Sequence, residues 1–296
     1  MLSAARAQRA RQTAQKVVWG AGQVGVPRLV VGVARLAWWR ISRPESVTVV
    51  AAHRHLSITL RYPDQLMPTL AVFGDLLEPE LGLLAESLPP GTIAVDVGAS
   101  VGTWAMVAAR AGATVLAYEP DPLNIEVLQH NLLVNGLDKR VRVLNSAVGR
   151  RAGSGTLQRS ARSYLNRVAE CGTAGSGQAV TMTTVTEVLD DNGVDHVSVL
   201  KVNTAGHESD VLEGALSAFR QRRVGLALFL DGLAVRSAVA AAMAEGHLDD
   251  YRLAAYDGQC RALRYFDDVT AYAACRLSPM NRYLILARRD TGGAGA

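Results

Sequence analysis

Short apolar runs alternate with longer amphipathic segments over most of the chain downstream of residue 92. Apolar runs of roughly four to eight residues, separated by helical segments, are typical of buried strands. They predict strands at residues 93–97, 114–118, 141–148, 197–202 and 224–230. Because this alternation indicates parallel strands with helices on both faces, we predict an α/β fold with a doubly wound, mostly parallel sheet.

Boundary signals predict three helices between these strands. The first occupies residues 103–111. Asp121 and Pro122 supply the N-cap and the first position of the second helix, which ends near Asn135. A third helix begins near Glu208 and turns its apolar residues inward.

Both ends of the chain are predicted to contain antiparallel strands. Residues 47–51 and 56–62 predict a strand pair, which is followed by a helical stretch around 76–88. Residues 251–256 and 282–288 predict a C-terminal antiparallel hairpin.

Charge separates residues 1–45 from a domain at residues 46–296. Glu45 is the first acidic residue, and eight basic residues precede it: Arg6, Arg9, Arg11, Lys16, Arg28, Arg35, Arg40 and Arg43. No window reaches the roughly 18–20 uncharged apolar residues of a transmembrane helix. Two interpretations of residues 1–44 are open. They form either a peripheral membrane helix with Trp38 and Trp39 at one end, or a helix that packs on the domain or on a second subunit of a homo-oligomer.

Composition disfavours several functional classes. Aromatic residues make up only 5% of the chain, so we expect no nucleic-acid partner. The three cysteines are far apart and offer neither a disulfide framework nor metal-ligand spacing, so we expect a cytoplasmic protein, with peripheral membrane attachment as the alternative. His53 and His55 lack further ligands nearby, and we predict no metal site.

A glycine turn follows the first strand of the predicted parallel sheet, with the sequence Gly98-Ala99-Ser100-Val101-Gly102. In doubly wound sheets the ligand lies beyond the carboxyl ends of the central strands. Small residues let the backbone approach a ligand closely, and the next helix offers free N–H groups. The G-x-x-x-G spacing differs from the G-x-G-x-x-G of dinucleotide sites, which disfavours an NAD-dependent dehydrogenase.

Two carboxylates accompany this turn. Asp96 lies in the preceding strand, where a negative charge would repel a pyrophosphate but suits the cationic amino-acid part of S-adenosylmethionine (SAM). Glu119 ends the next strand, where a carboxylate can accept hydrogen bonds from both ribose hydroxyls. The adenine ring would lie near Ser146. We therefore predict a SAM site made of Asp96, Gly98, Ala99, Ser100, Gly102, Glu119 and Ser146.

Several motifs occur in a characteristic order: the turn at residues 96–102, then Tyr118-Glu119-Pro120-Asp121-Pro122, then Ser146-Ala147-Val148-Gly149, and a segment at residues 200–208. Together they resemble the FkbM-type SAM-dependent methyltransferases, and the resemblance extends from about residue 74 to residue 288. It implies a class I methyltransferase (Rossmann-like) fold. It also implies O-methylation of a sugar or another small-molecule, glycan or glycolipid hydroxyl.

The chain departs from this family after the fourth strand. The family pattern is Lys-x-Asp-x-Glu-Gly-x-Glu, and here Asn203 and Ala205 replace its first two acids, whereas Lys201, Gly206 and Glu208 remain. Two negative charges are therefore missing from the rim at which an acceptor, or a divalent metal, is expected. The amide oxygen of Asn203 can accept a hydrogen bond, but it cannot take a proton.

The predicted catalytic residues are His207, Lys201 and Asn203. Histidine exchanges protons near neutral pH, and a positioned base accelerates such reactions about 10²–10⁴-fold, so His207 is the candidate base. The alternative is that His207 is an exposed residue of a first helical turn. Lys201 either takes part in the chemistry or anchors the backbone or a neighbouring carboxylate. The acceptor would contact residues 153–177, predicted as a loop or weak hairpin, and residues 231–250, predicted as a loop.

Two functional hypotheses follow. The first is an active SAM-dependent O-methyltransferase with a small-molecule or glycolipid acceptor. The second is a catalytically weakened or inactive SAM-binding protein that acts as a binding or assembly subunit, and the substitutions Asn203 and Ala205 motivate it.

Overall fold

The structure is a computed structural model that describes residues 18, 22, 25–51, 55–64, 66–74, 78, 80–81, 83, 88–159, 166–170, 177–275 and 281–289. His53 and Cys171 lie outside these residues. The helices and strands follow one another as α1 (Val26–Ser42), β1 (Ser46–Ala51), β2 (Leu56–Arg61), α2 (Met67–Phe73), β3 (Ile93–Val97), α3 (Thr103–Ala111), β4 (Thr114–Tyr118), α4 (Pro122–Val134), β5 (Val141–Leu144), β6 (Ala147–Val148), β7 (Gly153–Gln158), β8 (Arg167–Glu170), β9 (Gln178–Thr183), α5 (Val185–Asp191), β10 (Val197–Val202), α6 (Glu208–Arg220), β11 (Val224–Leu230), α7 (Leu233–Ala244), β12 (Tyr251–Asp257), β13 (Ala262–Phe266), α8 (Val269–Ala274) and β14 (Tyr283–Arg288).

An eight-stranded sheet with the strand order β13-β12-β14-β11-β10-β3-β4-β5 forms the centre of the molecule. Strands β5, β4, β3, β10 and β11 are parallel, and β14 runs antiparallel between β11 and β12. The predicted doubly wound, mostly parallel sheet is therefore confirmed. Its central strands read as continuous apolar runs because helices cover both of its faces.

Two apolar cores lie on opposite faces of this sheet, because successive strand residues point to opposite sides. One face is covered by helices α2, α3 and α4 and by the β1–β2 hairpin. They pack against sheet residues that include Ala94 and Val115. Helices α5, α6 and α7 pack on the other face, together with Val95 and Leu116. The predicted helices at 103–111 and from Glu208 are confirmed, and Asp121 caps α4 by accepting a hydrogen bond from the Leu123 N–H.

The predicted strand at 141–148 is wrong in its second half, because the chain leaves the main sheet after Leu144. The Asn145 side-chain amide donates to the carbonyls of Glu119 and Pro120 at 3.1 Å each, which turns the chain outward. Strand β6 then begins a separate four-stranded sheet with the order β6-β9-β7-β8. Strands β7 and β8 confirm the hairpin alternative for residues 153–177, and β9 was not predicted.

Two further predictions need correction near the C-terminus. Strands β12 and β14 do pair antiparallel, but they are not a hairpin, because β13 and α8 lie between them in the sequence. Residues 231–250 contain helix α7 rather than only loop, and helix α5 was missed. Much of the predicted helix at 76–88 lies outside the described residues, whereas residues 80, 81 and 83 are helical.

Helix α1 packs against α2. Pro27 lies in its first turn, where a missing N–H costs no helical hydrogen bond. Gly32 makes the closest approach, since a Cβ atom there would lie 2.4 Å from the Val72 carbonyl oxygen. Among the described residues, no helix is long and apolar enough to cross a membrane.

Candidate active site

A cavity of about 460 Å³ opens at the carboxyl ends of β3, β4 and β10, where a doubly wound sheet is expected to bind its ligand. The main sheet contributes Gly98, Glu119 and Asn203 to its wall. The second sheet closes the opposite side with apolar side chains, among them Leu157 and Met182. Its volume is in the range of about 300–1,000 Å³ that is usual for cofactor sites.

Two glycines allow the turn after β3 to take its shape. Gly98 has φ +74°, and a Cβ atom there would lie 2.0 Å from the Asn203 carbonyl oxygen. The N–H groups of Gly98 and Ala99 both donate to the Tyr118 carbonyl, which ties the turn to β4. Gly102 has φ +86°, and a Cβ there would lie 2.1 Å from Leu128 Cδ1, so this glycine serves helix packing.

Asp96 lies behind the turn rather than in the cavity wall. Its carboxylate is fully buried, and the Lys201 ammonium donates to Oδ1 at 2.7 Å. Lys201 also donates to the Gly98 carbonyl at 2.9 Å. Burial raises the pKa of Asp96, and the neighbouring Lys201 ammonium opposes that rise. The charge that was predicted to face a ligand ammonium is thus already paired inside the protein.

Glu119 forms part of the cavity wall and is held by neutral groups. Its Oε2 accepts from the Ser100 N–H at 2.9 Å, and Oε1 accepts from the Asp121 N–H and the Asn124 side-chain amide at 3.0 Å each. Burial raises the pKa of Glu119, and these three hydrogen bonds oppose the rise. A carboxylate oxygen can accept two hydrogen bonds, so Oε2 keeps capacity for a ligand hydroxyl.

The segment after β10 is folded around a buried carboxylate. Glu208 Oε1 accepts from the Thr204 N–H at 2.8 Å, and Oε2 accepts from the Gly206 N–H at 3.1 Å. Ala205 lies at φ +57° on the cavity wall, next to Asn203, which lines the same wall. Lys201 was predicted to anchor the backbone or a neighbouring carboxylate. Glu208 also anchors the backbone, at Thr204 and Gly206.

His207 faces the cavity and has an acidic partner. Its Nδ1 lies 3.2 Å from Asp210 Oδ2, and Arg150 donates to Asp210 Oδ1 at 2.8 Å. All three residues line the cavity. A histidine whose Nδ1 is engaged by a carboxylate can present its Nε2 to an acceptor proton, which is the geometry of a general base.

The structure thus divides the predicted site residues into two groups. Gly98, Ser100, Glu119, Ser146, Asn203 and His207 line the cavity, whereas Asp96, Ala99, Gly102 and Lys201 lie behind it. Asp231, at the end of β11, pairs with Arg236 and does not reach the cavity. Prediction from sequence missed Asp210, Arg150 and the apolar wall of the second sheet. The capping box formed by Thr184 and Glu187 marks the end of β9 and could have signalled that wall.

Residues 96–239 match the family model of the methyltransferase FkbM domain. This segment, just under half of the chain, is therefore similar to FkbM methyltransferase domains. The chain also shares 41% identity over 69 residues with a mouse tRNA (guanine(37)-N(1))-methyltransferase, covering 23% of this chain and 14% of that enzyme.

Solved structures of methyltransferases are similar to this chain at low sequence identity. An FkbM methyltransferase from Methylobacillus flagellatus is 15% identical with a TM-score of 0.41, and the match covers 75% of this chain and 54% of that protein. A human methyltransferase 10 domain containing protein is 10% identical with a TM-score of 0.48, covering 88% and 95%. The chain thus spans about half of the first of these structures. The FkbM domain match and the strand order of the main sheet agree with the class I SAM methyltransferase fold that the sequence predicts.

The cavity suits SAM, the cofactor expected of an FkbM domain. Glu119 Oε2 can accept from a ribose hydroxyl, and Leu157 and Met182 offer apolar surface for a purine ring. Ser146 lines the same wall, and its hydroxyl donates to the Thr181 carbonyl at 3.0 Å, which fixes the entry to the second sheet. Among the described residues, no group of three or more His, Cys, Asp or Glu side chains could hold a metal ion.

Proposed function

We propose that the FkbM domain of this chain is an active SAM-dependent methyltransferase that methylates a hydroxyl group of a sugar or another small molecule. The observation that carries the proposal is the His207–Asp210 pair on the wall of the SAM cavity. It supplies a base at the rim where Asn203 and Ala205 leave two family acids missing.

SAM, when bound, supplies a methyl group that is already activated toward attack. The protein then has to hold the acceptor in line and give its hydroxyl proton a destination. His207 can take that proton at Nε2, because Asp210 engages Nδ1. Arg150 holds Asp210 in turn, so the carboxylate orients the ring and stabilises the imidazolium that forms.

The second sheet gives the cavity an apolar wall. Leu157 and Val168 of the β7–β8 hairpin and Met182 of β9 contribute to this wall. Asp121 fastens the hairpin to α4, because it accepts hydrogen bonds from Arg159 and Asn166 at 2.8 Å each. A dry cavity strengthens every electrostatic interaction inside it.

A second function, SAM binding with weak or no turnover, is favoured by Asn203. It lines the cavity where the family pattern has an acid, and its amide cannot accept a proton. The chain would then bind SAM through the wall around Glu119 and act as an assembly subunit. The mouse tRNA methyltransferase adds RNA to the acceptors worth testing, although the shared stretch covers only 14% of that enzyme.

The test is turnover by the full chain against a panel of sugars, glycolipids and RNA, with His207→Gln and Asp210→Asn as variants. We expect His207→Gln to lower kcat about 10²–10⁴-fold and to leave the SAM Kd unchanged, because the imidazole acts on the acceptor. Asp210→Asn should cause a smaller loss of kcat and alter its pH profile. Activity of His207→Gln equal to the parent protein would rule out His207 as the base.

His247→Gln is the matched control. His247 also has an acidic partner, with Nε2 3.3 Å from Glu245 Oε2, but it does not line the cavity. We expect it to leave kcat unchanged. If the parent protein binds SAM but methylates nothing in the panel, and Asn203→Asp with Ala205→Glu creates turnover, the assembly function is the correct one.

A further inference from the structure

The outward face of helix α1 is entirely apolar, which is unusual for a helix on a protein surface. Gly32, Leu36 and Trp39 lie on the side that packs on the domain, where Gly32 touches Val72. The opposite side carries exposed large side chains, of which Trp38 is 65% and Ile41 77% exposed; the others are Val30, Val31 and Val33. We propose that this face docks in the plane of an anionic phospholipid bilayer, a function independent of the methylation proposed above.

The arginines of α1 lie at the margins of the apolar face. At about 100° per residue, Arg35 and Arg40 project on either side of Gly32, between the domain and the apolar face. With the apolar residues at the boundary of the acyl chains, these guanidinium groups would reach the level of the lipid phosphates. Arg28 lies on the same side of the apolar face as Arg35. The arrangement therefore matches an anionic surface in both shape and charge.

Charge argues for lipid rather than a second copy of the chain. Helix α1 contains no acidic residue, and its C-cap is Arg43. A symmetric contact between two α1 faces would bring like-charged arginines of both copies together, with no carboxylate on either helix to offset them. The amino-acid sequence before α1 adds four more basic residues and no acidic one, at Arg6, Arg9, Arg11 and Lys16. A bilayer rich in anionic phospholipid offsets all of these charges.

The test is cosedimentation of the full chain with phosphatidylcholine vesicles that contain or lack phosphatidylglycerol. We expect binding only to the anionic vesicles, and weaker binding at high salt. The double variant Trp38→Ser/Ile41→Ser should weaken the apparent affinity at least about tenfold, and so should Arg35→Gln/Arg40→Gln. Both pairs are exposed, so thermal unfolding and the SAM Kd should not change.

Matched controls distinguish docking through α1 from nonspecific binding of other exposed side chains to the vesicles. Leu133→Ser/Val134→Ser removes two exposed apolar side chains from α4, and Arg110→Gln/Arg220→Gln removes two exposed arginines from α3 and α6. Neither control should change vesicle binding. Equal binding to neutral and anionic vesicles, or none to either, would overturn the proposal. So would a dimer in light scattering that Trp38→Ser/Ile41→Ser converts to monomer, since that face would then bind a second copy.

Discussion

Asp96 and Glu119 stand near the ends of two adjacent parallel strands, yet the structure uses them in opposite ways. Both carboxylates are buried, and burial raises the pKa of each. Asp96 faces Lys201 from β10 and lies behind the cavity wall. Glu119 faces the cavity and is held by two backbone N–H groups and the Asn124 amide, all of them uncharged.

The difference shows that a buried carboxylate can serve either the scaffold or the ligand, depending on what neutralises it. A cation at 2.7 Å makes Asp96 part of the link between β3 and β10. Neutral donors position Glu119 but leave its negative charge for a ligand. Four predictions test this distinction, and they are given from the largest expected effect to the smallest.

Lys201→Met should destabilise the fold by about 3–5 kcal/mol, because it leaves the Asp96 carboxylate buried without a cation. The measurement is the free energy of unfolding in denaturant. The double variant Asp96→Asn/Lys201→Met should recover a large part of that loss, since neither charge is then buried alone. Equal destabilisation of the single and double variants would mean that the ion pair is not what makes Lys201 important.

Glu80 is a third buried acid, and it tests how a carboxyl group behaves when its hydrogen-bond donors are backbone N–H groups. Its Oε1 accepts from the Arg282 and Tyr283 N–H groups, and burial raises its pKa from 4.5 to about 7. Because the folded-state pKa is the higher one, the contribution of Glu80 to stability is fully present below pH 4.5 and is lost as the pH rises to about 7. The loss should be about 3 kcal/mol.

Glu80→Gln should remove this loss, because the amide does not ionise. The measurement is the difference in unfolding free energy between variant and parent protein as a function of pH. That difference should shift in favour of the variant as the pH rises through the window. A difference that stays constant with pH would show that Glu80 does not titrate there.

Glu119→Gln should weaken SAM binding about 10–100-fold, because hydrogen bonds to a charged group contribute about 1.5–3 kcal/mol. Isothermal titration calorimetry measures the Kd. Asp96→Asn is the matched comparison, and we expect it to change the Kd less than threefold (about 0.7 kcal/mol) at a temperature where it stays folded. If Asp96→Asn weakens binding more than Glu119→Gln, the two carboxylates have been assigned the wrong roles.

The smallest effect is expected for Arg159→Gln. Its ion pair with Asp121 has the same 2.8 Å length as a good charged hydrogen bond, but the Arg159 side chain is 42% exposed. Exposed pairs contribute about 0–1 kcal/mol, so the thermal midpoint should barely change. A loss similar to that of Lys201→Met would show that burial does not explain the contrast between the two ion pairs.

Strands β3, β4, β10 and β11 and helix α3 could be predicted at their observed bounds, because each is a continuous apolar run or has clear end signals. The second sheet could not. Strand β6 has two residues, and β7 begins Gly-Ser-Gly, so neither has enough length or periodicity to be distinguished from a loop. These short strands exist because they pair with β9.

The candidate site also has features that could be predicted from the sequence and features that could not. The turn at Gly98 and the position of Glu119 follow from strand ends and spacing, which are local properties. The Asp210 partner of His207 was not predicted, although both residues lie in one helical turn, because many residues at that spacing face solvent. Only the closing of the cavity by Arg150 and the second sheet shows that this turn faces inward.

The sequence by itself determined the doubly wound sheet and the glycine turn, because apolar periodicity, helix caps and left-handed glycines act over a few residues. The tertiary structure decided which carboxylate faces the cavity. Lys201 reaches Asp96 across 105 residues of chain, and no local pattern reports such a contact. Burial and charge pairing depend on the whole packed interior, which explains why two similar acids near adjacent strand ends have different roles.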